Sequence, residues 1–285
     1  MARRSVARVT QSGAGGGTTL TDVRLAPRPG GSPELGGVLG VPSREVHGDG
    51  PWPGVVVVHE AFGVDDVMRR QVQRLAEAGY LALMPDLFTA GGARKCLTAT
   101  FRALAAGHGR AFEDVESARS QLLALDECTG RIGVIGFCMG GAFALQLAGS
   151  PAGRYDASSV NYGRLPSDDA SLDALLAGAC PVVASYGGRD ASLRGAADRL
   201  ERGLTHAGVP HDVREYPSAG HSFLNDAPNG PRLLRPVMQR VIGAGPEPEA
   251  AADAWARIEA FFDEHLGGGA DLAPRTGQGG GRAHS

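Results

Sequence analysis

Long apolar runs are absent from this 285-residue chain. Its most hydrophobic stretch, Val55 to Val58, is four residues long, far short of the roughly 20 that a membrane-spanning helix needs. Cysteine is scarce and shows no pairing pattern. Cys96, Cys128, Cys138 and Cys180 stand 32, 10 and 42 residues apart, so there is no CxxC pair, no disulfide framework and no metal-finger spacing. Charge of one sign is nowhere concentrated: 28 Lys and Arg face 31 Asp and Glu for a net charge of -3, and the arginines are scattered. That excludes the electrostatic footprint of a nucleic-acid or acidic-surface binder. Arg3, Arg4 and Arg8 lead into TQSGAGGGTT instead of an apolar segment, so no secretory signal is read there. Histidine and carboxylates do not recur at metal-ligand spacing, and neither a P-loop Lys-Ser/Thr nor a full GxGxxG is present. A soluble, cytoplasmic protein without metal or cofactor, acting on a small molecule, is the resulting expectation.

What is there suits one α/β core. Hydrophobic residues make up 42% and charged residues 21%, the ordinary globular range. Residues 1–17 and 267–285 are rich in glycine and polar side chains without apolar period, and read as tails around a single domain at 18–266. Leu20 to Leu25 and Gly37 to Val41 suggest an antiparallel start. PGVVVVHE then reads as a strand buried on both faces, ending at His59 and Glu60. Asp65 and Asp66 open a helix that closes on Gly79, and YLALMPD is a further strand. Apolar steps of three and four predict a helix over Ala111 to Cys128, leading into the strand RIGVIGF. Strands at 181–187 and 211–217 flank a helix from about Leu193 to Ala207, and a last helix covers about Glu249 to His265. Such alternation implies a mostly parallel sheet with helices on both faces. Active sites in these sheets lie at the carboxyl ends of the strands, where Glu60, Asp86, Cys138 and Asp190 each follow a strand and His221 follows one after a short loop.

GFCMG, residues 136–140, fits the nucleophile-elbow pattern with cysteine in the serine position. A sharp strand-to-helix turn strains the backbone at the nucleophile and crowds the positions two before and two after it, which glycine accommodates. The N-terminus of the following helix would favour a thiolate and a developing oxyanion. Taken alone, the pattern leaves Cys138 open between nucleophile and small core residue. Asp190 follows 52 residues on in GGRDASL and His221 another 31 on in AGHSF, so the chain order is nucleophile, acid, histidine. Asp190 also fits a helix N-cap, and His221 could be an ordinary surface histidine. Together they suit acyl transfer: Cys138 attacks an ester or lactone carbonyl, His221 handles its proton, and Asp190 holds the imidazole tautomer. The backbone N–H groups of Met139 and Ala61 are in the right places for an oxyanion hole.

These pieces resemble the dienelactone hydrolase family, α/β-hydrolases with a Cys-Asp-His triad. The likeness is carried by VVVVHEAFGVDDVMRRQVQRLAEAGYLALMPDLF, RIGVIGFCMGG, SVNYG, GGRDASL and AGHSFLN, spread over about residues 50–225. The resemblance implies that Glu60 interacts with the resting nucleophile thiol; a carboxylate buried on backbone N–H groups is the other reading of Glu60. It implies a structural role for Asp86. It also implies two arginines that grasp a substrate carboxylate, one shortly after PDL and one four residues after the catalytic histidine, where this chain has Ala90 and Asn225. Arg94, Lys95 and Arg164 are candidates to replace them, and Tyr162 is a further substrate-contact candidate. The expected function is hydrolysis of a small ester or lactone through a cysteinyl acyl-enzyme. A promiscuous carboxylesterase or thioesterase, and a non-catalytic redox sensor on the same fold, are the alternatives.

Overall fold

The computed structural model describes residues 17–150, 155–233 and 235–267, apart from the Arg94 side chain. The expected tails therefore lie almost wholly outside the described residues. The chain opens with β1 (Thr19–Arg24), β2 (Gly36–Val41), the short α1 (Arg44–His47), β3 (Trp52–Val58), α2 (Asp66–Glu77) and β4 (Leu81–Pro85). Next come α3 (Ala93–Ala106), α4 (Arg110–Leu123), β5 (Cys128–Phe137), α5 (Met139–Ala148), β6 (Ala157–Asn161) and α6 (Asp169–Leu176). The rest is β7 (Val182–Gly187), a 3-10 turn at Ala191–Leu193, α7 (Ala196–Ala207), β8 (His211–Tyr216), α8 (Arg235–Ile242) and α9 (Pro248–Leu266).

Among the described residues the eight strands form one sheet in the order β1-β2-β4-β3-β5-β6-β7-β8. β2 runs antiparallel to β1 and β4, and every later pairing is parallel. This is the α/β-hydrolase fold, with the antiparallel start that the sequence suggests. The central position of β3 explains its composition. Val55, Val56, Val57 and Val58 are all fully buried because helices cover both faces of the strand, and each such side chain contributes roughly 1.5–3 kcal/mol. The strand period of two proves the two-sided cover. A Cβ on Gly54 would meet Leu122 of α4, whereas a Cβ on Gly133, the register partner of Val55, would meet Leu266 and Phe262 of α9. Helices α4 and α9 therefore lie on opposite faces.

The helix starting at Asp66 is capped as expected, since the Asp65 side chain accepts the Met68 N–H at 2.9 Å, an interaction worth about 1 kcal/mol. Two helix boundaries differ from expectation. The helix expected over Ala111 to Cys128 ends at Leu123, because Cys128 is drawn into β5 opposite Trp52 and the Trp52 N–H donates to the Glu127 carbonyl. The helix expected from Leu193 begins at Ala196, since Gly195 takes the left-handed conformation, φ +73°, between the 3-10 turn and α7. No described helix is long and apolar enough to cross a membrane.

Candidate active site

The carboxyl ends of β3, β5, β6, β7 and β8 converge on one rim. Cys138 occupies the junction of β5 and α5 with φ 57° and ψ -114°, a left-handed setting uncommon for a residue with a side chain. The turn is held by the Cys138 N–H donating to the Asn161 carbonyl at 3.0 Å. Glycine is compulsory around it. A Cβ at Gly136 would lie 1.8 Å from the Gly140 oxygen, and one at Gly140 would lie 2.0 Å from the Val58 oxygen. Both obstacles are backbone and cannot swing away. Gly140→Ala is accordingly expected to destabilise the fold by about 3 kcal/mol or more, lowering Tm by roughly 6–12 °C for a chain of this size. A thermal melt within 2 °C of wild type would refute this account of the elbow.

His221 is buried beside Cys138. Its Nδ1–H donates to Asp190 Oδ2 at 2.5 Å. The other Asp190 oxygen accepts the Ser192 N–H at 3.0 Å and the Ser192 hydroxyl at 2.6 Å, so the same carboxylate also caps the 3-10 turn. One carboxylate thus makes the contacts that both sequence readings of Asp190 call for. Burial by itself would lower the His221 pKa, but the Asp190 hydrogen bond, the Cys138 hydrogen bond and charge, and the Asp190 charge outweigh it and push it up to about 10. Burial likewise opposes ionisation of Asp190, yet the His221 and Ser192 contacts hold its pKa below the ordinary carboxylate value. A clamp that sequence reasoning missed fixes the histidine backbone: the His221 N–H donates to the Ile242 carbonyl and the Gly245 N–H to the His221 carbonyl, each at 3.0 Å. A Cβ on Gly220 would strike the Gly243 oxygen at 2.2 Å. The sequence signal was the glycine-rich end of α8, legible only once its partner loop is known.

Glu60, 1% exposed, takes no backbone donor on its carboxylate among the described residues. Oε1 accepts the Tyr162 hydroxyl at 3.3 Å and the Asn225 amide at 3.1 Å, and Oε2 accepts the Asn229 amide. Asn225 thus stands where the resemblance leads one to expect an arginine, and it puts a neutral donor on Glu60. Its own oxygen accepts the Gln71 amide at 3.2 Å, which fixes its orientation. Asn229 and Gln71 went unnoticed in the sequence because nothing in their spacing links them to Glu60. Tyr162, with φ 41°, packs its ring 5.1 Å from that of His221. Burial, followed by the charges of Glu60 and Cys138, raises its pKa well above the ordinary phenol value.

The loop bearing Glu60 and Ala61 is pinned by His59. The His59 Nδ1–H donates to the Glu60 carbonyl at 2.7 Å and Nε2 accepts the Leu87 N–H at 3.2 Å. Burial keeps this imidazole below its ordinary pKa, consistent with that neutral tautomer. Asp86, just beyond β4, accepts the Phe88 N–H at 2.9 Å, a turn-forming contact. Among the described residues, the backbone N–H groups of Met139 and Ala61 have no backbone acceptor in any turn, cap or loop.

A cavity of about 860 Å³ opens from Cys138 and His221, lined also by Met139, Tyr162 and Arg164. Arg164 is exposed and makes no ion pair among the described residues. Lys95 lies on α3 and is not part of the described lining, the Arg94 side chain lies outside the described residues, and Ala90 is exposed in the turn before α3. No group of three or more His, Cys, Asp or Glu among the described residues is gathered as a metal site.

The dienelactone hydrolase family model matches residues 35–266, a span that includes β2 to α9 and every residue of this site. The chain belongs to the dienelactone hydrolase family. It is 30% identical to the carboxymethylenebutenolidase of Rhodococcus opacus, with 74% of this chain and 81% of the relative aligned. Among solved structures, the dienelactone hydrolase of Anabaena variabilis superposes with a TM-score of 0.63 at 19% identity, covering 87% of this chain and 99% of that one. A dienelactone hydrolase-like promiscuous phosphotriesterase from metagenomic libraries does so with 0.66 at 23%, over 87% and 99%. These two share the fold. As a dienelactone hydrolase family member, this chain is a hydrolase enzyme.

Proposed function

We propose that this hydrolase cleaves a small ester or lactone through Cys138, by way of an acyl-enzyme. The reading is carried by one observation: the buried His221 is bonded to Asp190 and lines one cavity with Cys138, which is among the groups that raise its pKa. An imidazole so placed pairs with a thiolate, which is the nucleophilic form of cysteine. The thiolate attacks the carbonyl carbon and forms an S–C bond, while the carbonyl electron pair moves onto oxygen between the N–H groups of Met139 and Ala61. Collapse breaks the C–O bond, and the departing alkoxide takes the proton from His221. Water, giving its proton back to His221, then attacks the thioester and releases the acid.

Glu60 shapes the charge around the thiol from its cradle of Tyr162, Asn225 and Asn229. Arg164, the sole Lys or Arg in the described lining, is the candidate partner for an anionic group on the substrate; the Arg94 side chain carries no part of this reading. A lactone substrate is favoured by the relative named carboxymethylenebutenolidase. A cytoplasmic location and a single domain over residues 18–266 belong to the same proposal, the first resting on the cysteine pattern and the second on the span of the family match.

Turnover of a panel of aryl esters, unsaturated lactones and thioesters, followed by mass spectrometry of acid-quenched enzyme, tests the reading. The expected result is turnover of at least one class, with one acyl group on the peptide that carries Cys138. Turnover with the adduct on another residue, or no turnover across the panel, would overturn it.

A further inference from the structure

The cavity is longer than the chemistry at Cys138 requires. Beyond Met139, three further lining residues, Ala142, Leu145 and Gln146, are on α5, four, seven and eight residues beyond the nucleophile. At 1.5 Å per residue the lined stretch runs about 11–12 Å from the thiol along the helix. Leu104 and Ala105 of α3 form the facing wall, and Leu175 of α6 closes a side.

The polar groups along this stretch are already engaged inside the protein. The Gln146 amide donates to the Leu104 carbonyl at 2.8 Å. The Ser171 hydroxyl donates to Asp168 at 2.9 Å, the Ser192 hydroxyl donates to Asp190, and the Tyr162 hydroxyl donates to Glu60. Apart from Arg164, Cys138, His221 and the exposed Ser167 and Asp168, the side chains facing the cavity therefore offer a ligand mainly apolar surface. A polar substrate arm would lose water contacts there without replacement, whereas an alkyl arm gains by leaving water.

We infer that the site takes esters with an unbranched, medium-length acyl chain, laid along α5 between α3 and α6. A zigzag chain advances about 1.25 Å per carbon–carbon bond of about 1.5 Å, so a chain of about eight to ten carbons fills the stretch. The inference rests on Cys138 being the residue acylated, since that is what anchors the chain at the end of the cavity.

A series of p-nitrophenyl esters from acetate to dodecanoate tests it. The expected kcat/KM rises by up to about fourfold per methylene and levels off near octanoate. Ala105 is exposed on α3, so Ala105→Trp fills the far end of the cavity without disturbing the core. It is expected to lower the octanoate-to-acetate ratio of kcat/KM at least tenfold. A profile that peaks at acetate, or an Ala105→Trp enzyme equally active on octanoate, overturns the acyl-chain site while the cysteine mechanism stands. Should no ester be turned over, the mechanism fails, and calorimetric binding of octanoate still judges the cavity: binding weakened at least tenfold by Ala105→Trp supports it, and unchanged or absent binding refutes it.

Discussion

Replacing Cys138 with alanine is expected to lower kcat for the best ester substrate by about 10⁴- to 10⁶-fold, the range seen when a triad nucleophile is removed, with KM changed by no more than a few fold. The methyl group keeps the backbone at φ 57° no more strained than cysteine does. It also leaves the N–H groups of Met139 and Ala61, proposed to hold the oxyanion, where they are, so the remaining activity measures the proposed oxyanion stabilisation and binding alone. Loss of the thiol also removes a hydrogen bond and a charge that raise the His221 pKa, and an NMR titration of that ring should show its midpoint falling. A kcat within tenfold of wild type, in a variant of unchanged Tm, would move the nucleophile elsewhere and end the proposed mechanism.

Asp190→Asn is expected to cost about 10⁴-fold in kcat, the usual penalty of the wrong imidazole tautomer. The hydrogen bonds around the carboxylate dictate this outcome. Ser192 donates twice to Oδ1, so the amide oxygen of asparagine remains there and its NH₂ turns toward His221. Nδ1 must then accept, the ring proton moves to Nε2, and the base is blocked on its working side. The stability of the protein should respond as well. The folded-state pKa of His221, about 10, exceeds the ordinary 6.5, so its stabilising contribution is complete below pH 6.5 and is lost as pH rises through about 10. Asp190→Asn removes a cause of that elevation, so the loss between pH 6.5 and 10 should shrink in urea unfolding. Equal pH slopes for wild type and variant, or full activity in Asp190→Asn, would show that Asp190 serves only as the cap of the 3-10 turn.

Much of this framework is legible along the chain because it rests on local rules. Four consecutive valines mark a central strand, Asp65 and Gly79 bracket a helix, and GFCMG marks a turn that only glycine can flank. β6 was harder to read as a strand. ASSVN is fully buried, but its serines break the apolar pattern and are tolerated because Ser158 donates to the Ala144 carbonyl and Ser159 accepts from Asn161. Helices α3, α6 and α8 also escape a periodicity reading. The first turns Ala93, Cys96, Leu97, Thr100, Ala103 and Leu104 inward, a stripe made mostly of small or polar residues that hydrophobicity marks weakly, and the third carries Val237 and Val241 exposed. These are the elements that frame the cavity, which is why its length could not be read in advance.

By itself the sequence determined the α/β class, the antiparallel start, the order of cysteine, aspartate and histidine, and the family, because each depends on residue types at fixed spacing. Tertiary structure decided what surrounds Glu60 and how far the cavity runs from Cys138. Asn225 and Asn229 reach Glu60 across 165 and 169 residues, and Leu104 meets Gln146 across 42. Contacts of that separation arise from how strands and helices are laid side by side, and no local pattern of residues encodes them.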